Sequence, residues 1–138
     1  MTPTFLGRIQ TRFLLLLTVG MVVTFFYALF AGVWFFVPFA FFQPFLVLLF
    51  VLFAGIGWDL IFILLQRFRW DRDWPPILQW SAAVLEMFPA WLFAWLIGVP
   101  WWLFLLHYWS VWSAVFIAAQ GPMRIVFPRW RYDGGKWL

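Results

Sequence analysis

Residues 67–76 read RFRWDRDWPP. Five of these ten residues are charged, in a chain where only 10% are. On one side runs PFLVLLFVLFAGIGWDLIFILLQ, residues 44–66, and on the other a second apolar run from Pro75 to Val99. About 20 mostly apolar residues suffice to cross the hydrocarbon of a bilayer. The charged stretch is therefore read as a turn between two spanning helices. Arg67 and Arg69 fall at the C-terminal end of the first helix, where the dipole favours cations. Asp73 is the expected N-cap of the second, with Pro75 and Pro76 in its first turn. Trp70 and Trp74 have amphipathic rings suited to the headgroup level. Arg67, Arg69 and Arg72 are also candidate contacts to a lipid phosphate or a partner's acidic loop.

Working outward, two more runs qualify as spans, residues 12–37 and 101–120. The connections PFAFFQ (38–43) and Gly98-Val99-Pro100 are breakers that predict hairpins. The expected fold class is all-α, an integral membrane four-helix bundle made of two antiparallel transmembrane hairpins. It forms one polytopic domain over 1–138. Residues 121–138, GPMRIVFPRWRYDGGKWL, are read as a basic-aromatic tail lying on the membrane interface.

Composition agrees. The chain is 67% hydrophobic, with a mean hydropathy of +0.96. Soluble domains are nearer half apolar and about a quarter charged. A run of apolar residues from Phe13 to Val37 is too long for a signal-peptide core of about 7–15 residues, so it reads as an uncleaved first span. The chain contains no cysteine, which excludes disulfides, thiolate metal sites and thiol catalysis.

With four spans, all nine Lys and Arg fall on one side: Arg8 and Arg12, Arg67, Arg69 and Arg72, then Arg124, Arg129, Arg131 and Lys136. The two opposite loops carry none. Lys and Arg in short loops mark the cytoplasmic face, so both termini are expected there. The host is expected to be a bacterial-type inner membrane or a thylakoid-like one. Partners are expected to be the lipid bilayer, with anionic headgroups at Arg124, Arg129 and Arg131, and further membrane subunits or copies of this chain. Nucleic acid is not expected, because the interface already accounts for the aromatic residues of the tail.

Three ionisable residues lie inside the predicted spans: Asp59, Glu86 and His107. A charge at the bilayer centre costs about 2.5–3.5 kcal/mol on insertion scales, which makes each a functional candidate. Asp59 lies about 12 Å along the helix from Arg67, and Glu86 about 15 Å from Pro76. The antiparallel hairpin brings both carboxyls to similar depth. Their plainer reading is as neutral or hydrogen-bonded groups that lock helices together. Pro89, one turn beyond Glu86, is expected to free the Leu85 carbonyl.

Small residues four apart share a helix face and let backbones approach. Gly20, Thr24, Ala28 and Gly32 form such a ladder in the first span; Ala82, Ala90, Ala94 and Gly98 flank Glu86 in the third. Gly55 precedes Asp59 by one turn, and Ser110 and Ala114 share a face with His107. These faces are read as packed inward, or against a copy or another protein.

No phosphate loop, zinc pair, nucleophile elbow or dinucleotide fingerprint is present, and one His with no Cys excludes most zinc sites. The leading expectation is a non-catalytic membrane subunit, without cofactor, packing into a homo-oligomer or larger assembly. The second is a proton- or cation-coupled transporter or channel using Asp59 and Glu86. The third is a haem or chlorophyll-type pigment held by His107 as axial ligand.

Overall fold

The structure, a computed structural model, describes residues 2–35 and 41–137. The described residues are all-helical. Four helical segments are long and apolar enough to cross a membrane: Phe5–Val33, Gln43–Arg67, Pro76–Leu96 and Trp101–Val126. Pro38, Phe39 and Ala40 of the predicted PFAFFQ turn lie outside the described residues, while Gln43 already opens a helix.

The first span differs most from expectation. It starts at Phe5, well before residue 12, because Thr4 caps it: the Thr4 hydroxyl accepts from the Gly7 amide at 3.1 Å. Arg8 and Arg12, expected ahead of the helix, lie inside it. The span comprises α1 (Phe5–Leu15), a π-helical turn (Leu16–Gly20) and α2 (Met21–Phe35). In a regular α-helix Arg12 and Thr24 would sit about 120° apart. The wider π turn takes up one extra residue and removes about 100° of that. Both side chains therefore point into the bundle, where each finds a partner on another helix.

The remaining elements are α3 (Gln43–Arg67), α4 (Pro76–Leu96), α5 (Trp101–Gln120) and the short α6 (Pro122–Val126). The spans run antiparallel in chain order. At the end carrying both termini, Gln66 donates to the carbonyls of Pro3 and Arg72, and Gln120 donates to Gln79. At the opposite end Gln43 donates to the Ile97 carbonyl and Tyr27 to that of Leu103. The α4–α5 turn is a Schellman motif. Gly98, at φ +81°, donates to Trp95, and Val99 donates to Ala94.

Large apolar side chains cover the outside of every span, among them Phe26, Phe53, Leu92 and Ile117. The interior combines small residues with a few large ones, among them Phe62, Phe104 and Tyr108. Gly20 lets the first span approach Leu48 of α3 and Val111 of α5. Ala28, Ala90 and Ala94 are at most 1% exposed, so most of the small-residue ladders are used up by packing within the chain.

The ladders break where four-residue steps drift off the helix face, by about 40° per step. Gly32 has open space around its Cα, and Ala31 is buried in its place. Gly98 is exposed and serves the turn, not a helix face. Ser110 is exposed, and Val111 follows His107 into the interior.

One loop expectation is also corrected. The residue capping α4 is Pro75, with no side-chain cap, so Asp73 does not cap it. In the turn it is Asp71 that gathers donors, accepting from Arg69 at 2.9 Å and from the Asp73 amide at 3.1 Å. Arg69 beside it, with that amide, holds the Asp71 carboxyl below the usual carboxylate range.

Residues 127–137 are packed against the bundle. They fold back over its terminal end. Trp130 is 5% exposed and packs with Leu15, Ala118, Ala119 and Met123. Its indole donates to Thr11 at 2.8 Å, and Thr11 in turn donates to the Gly135 carbonyl. The Thr4 amide donates to the Gly134 carbonyl. A side chain at Gly7 would overlap that carbonyl, which explains the glycine. Arg124, Arg129 and Arg131 remain on the outer surface, as do Arg67 and Arg72.

Candidate functional site: a buried ion-pair cluster and its cavity

Asp59 and Glu86 do meet, but across an arginine. The Arg12 guanidinium donates from Nε and Nη2 to the two carboxylate oxygens of Asp59, at 2.7 and 3.1 Å. From Nη1 and Nη2 it donates to both oxygens of Glu86, each at 2.9 Å. One planar fork thus holds two carboxylates from two other spans, the geometry in which arginine pairs most strongly. The side chains are 13%, 6% and 11% exposed for Arg12, Asp59 and Glu86. A single cation thus sits between the two carboxyl groups.

Gly55 belongs to this cluster more than to helix packing. A Cβ there would fall on the Arg12 guanidinium. The glycine one turn before Asp59 makes room for the arginine head against the α3 backbone.

Arg8 lies one turn before Arg12. Its Nη2 donates to Gln66 at 3.2 Å, and its head lies 4.4 Å from the centre of the Trp74 ring. Its Nε is buried and makes no hydrogen bond among the described residues.

His107 makes no hydrogen bond to either acid. It is 3% exposed, its Nε2 lies 2.9 Å from Thr24 Oγ1, and its ring centre is 5.0 Å from that of Tyr27. The next residue, Tyr108, donates its hydroxyl to the Ala83 carbonyl at 2.6 Å, tying α5 to α4.

A cavity of about 390 Å³ joins these groups. Its wall includes Arg8, Arg12, Asp59, Glu86, Tyr108 and His107. Along α5 the wall extends from Gln120 to His107, about 20 Å of helix. The wall also takes in Arg124 and Arg131 at the end that carries the termini. No group of three or more His, Cys, Asp or Glu able to hold a metal ion occurs among the described residues.

Comparison of the chain with protein-family models, with curated proteins and with solved structures finds no match. What the cluster does must be argued from its own geometry.

Both acids and the histidine are legible in the sequence, whereas the parts played by Arg12, Arg8 and Gln66 are not. The expected span opens at Arg12 and leaves that charge at its edge, while the helix itself begins at Phe5. One signal was available: two carboxyls at equal depth call for a counter-charge, and Thr4-x-x-Gly7 is a possible helix start upstream of Arg12.

Proposed function

We propose that the chain is a non-catalytic subunit or scaffold of the membrane, with its four spans locked together by a buried ion-pair cluster. The observation that carries this reading is the double clamp of Arg12. Every carboxylate oxygen of Asp59 and Glu86 already accepts from it, so a cation arriving there would have to compete with the guanidinium. Arg8, one turn before Arg12, lies on the same cavity wall. An arginine clamped between acids of two other spans suits a lock that sets helix register, the best-attested role of buried polar groups.

In this reading the termini, the 67–76 turn and the folded tail face the cytoplasm, where Arg67, Arg124, Arg129 and Arg131 meet anionic headgroups. The membrane is of bacterial inner or thylakoid-like type. Because the small-residue ladders are mostly occupied inside the chain, partners or a second copy would meet its outward aromatic surface. Trp80, Trp109, Trp112 and Phe116 are in mutual contact along α4 and α5 and offer the most rigid part of it.

Reporter fusions test the topology: one at position 40 is expected outside and one at the C-terminus inside. Native mass spectrometry of gently solubilised protein tests assembly and should find the chain in a complex. A strictly monomeric species, with protein-dependent ion flux in vesicles, would overturn the subunit reading.

One observation favours the second reading, in which the chain handles protons or cations. The cavity gives the cluster a route to the terminal end of the bundle, which a scaffold does not need. Nothing in the geometry favours the pigment reading in the same way. A macrocycle bound through His107 Nε2 would displace the Thr24 hydroxyl, and a visible absorption band from the purified protein would be needed to revive it.

A further inference from the structure

The large cavity does not end against solid packing. Beyond it lies a second cavity of about 20 Å³, bounded by Tyr27, Gln43, Val99 and Leu103 toward the opposite end of the bundle. Two residues, Val47 and His107, line both cavities. Val47 is an inert wall. Among the described residues His107 is therefore the sole polar side chain shared by the two spaces, and it is pinned by Thr24 at 2.9 Å.

Polar side chains follow the bundle axis on both sides of this point. Toward the termini come Tyr108, the Arg12–Asp59–Glu86 cluster and Gln79; toward the other end come Tyr27 and Gln43. In a helical bundle surrounded by lipid, ionisable groups of this kind face the interior or a water-filled cavity and mark pathways.

We propose that the axis of the bundle is a proton pathway closed at one constriction, the hydrogen bond between His107 and Thr24. This deepens the second reading above and rests on it. The large cavity supplies water up to His107 from the terminal end. The small one has room for about one water molecule, which takes some 10–15 Å³. A proton taken up at one imidazole nitrogen and released from the other crosses the constriction, leaving only a changed tautomer that ring rotation restores. The ring thus carries protons where nothing larger can pass. A hydrated cation is excluded by the size of the second cavity. Thr24 holds the ring in one orientation, so its hydroxyl acts as the latch.

The test uses the full chain in vesicles with a pH-sensitive dye inside and a potassium gradient made permeant by valinomycin. Wild-type protein is expected to acidify the lumen faster than protein-free vesicles do. His107→Phe keeps a ring of similar size but carries no transferable proton, and it is expected to reduce flux to the protein-free level. Thr24→Val removes the latch and is expected to raise flux; unchanged or lower flux would count against the latch. If His107→Phe conducts as well as wild type, His107 is not the relay, though the transport reading survives. If wild-type protein carries no flux in either direction of the gradient, both the pathway and the transport reading are overturned.

Because the chain has no native cysteine, single replacements report access directly. Val111→Cys, on the wall of the large cavity, should react with an impermeant cationic thiosulfonate added from the terminal side. Leu103→Cys, on the far side of His107, should resist the same reagent from that side. Equal labelling of both from the terminal side would show that His107 closes nothing. Protection of Val111→Cys would show that the large cavity does not admit water.

Discussion

Arg12 bridges Asp59 and Glu86, its Nε 2.7 Å from Asp59 Oδ2 and its Nη1 2.9 Å from Glu86 Oε2. Three spans are joined through one guanidinium. Removing the arginine leaves two buried carboxylates facing each other, and breaking a buried pair in this way costs about 3–5 kcal/mol. Arg12→Gln is expected to lower the thermal midpoint in detergent sharply. Asp59→Asn or Glu86→Gln leaves Arg12 one carboxylate and should cost less, about 1–3 kcal/mol. Equal losses for all three would mean that the cluster is not organised around Arg12.

Gly55 and Arg12 should be energetically coupled. Gly55→Ala sets a methyl group where the guanidinium sits, and overpacking of this kind costs about 1–3 kcal/mol. With Arg12 shortened to Ala the methyl group meets no head group. A double-mutant cycle on thermal stability is therefore expected to be non-additive, with Gly55→Ala nearly silent in the Arg12→Ala background. Additive losses would place the glycine's role elsewhere.

Two small residues from different ladders should separate cleanly. Ala90 is 1% exposed, whereas open space surrounds Gly32. Ala90→Leu should destabilise by about 1–3 kcal/mol by forcing helices apart. Gly32→Leu should be tolerated or mildly stabilising, since a helix-interior glycine costs about 1 kcal/mol relative to better formers. The comparison is read from thermal unfolding of the two variants side by side.

The folded tail depends on Trp130. Trp130→Ala removes a buried indole and the hydrogen bond to Thr11, a change worth about 3–5 kcal/mol where the surroundings cannot collapse. The expected result is faster amide exchange across residues 127–137 and in α1, with tryptic cleavage at Arg129 and Arg131. Exchange that rises in the tail alone would show that the tail does not brace the first span.

The turn between α3 and α4 supplies a pH signature outside the membrane. Asp71 titrates below the ordinary carboxylate range because Arg69 binds its ionised form. A depressed folded value means the contact is present above the ordinary carboxylate pKa and is lost as pH falls through the folded one. Arg69→Gln should raise the Asp71 midpoint toward about 3.9, followed by NMR of the carboxyl carbon. The pair is exposed, so global stability should scarcely respond.

The four apolar runs, the Gly98 turn and the three buried ionisable positions were legible from residue order alone. Run length and hydrophobicity are local quantities, and lipid demands both in one continuous stretch. The Gly98-Val99-Pro100 breaker is equally local, because a left-handed residue followed by proline cannot continue a helix. The capping of α4 was misread because Asp73 satisfies the composition of a cap without the spacing that Pro75 imposes.

The partner of Asp59 and Glu86 was decided only in three dimensions. Arg12 lies 47 and 74 residues away from them in sequence. It reaches them because a π turn rotates it onto the face that also carries Thr24. Residue order states that a charge must be compensated, since burial is costly whatever the fold. Which cation does so depends on helix rotation and depth, and these are set by packing of the whole bundle, with Gly55 leaving the space into which the guanidinium fits.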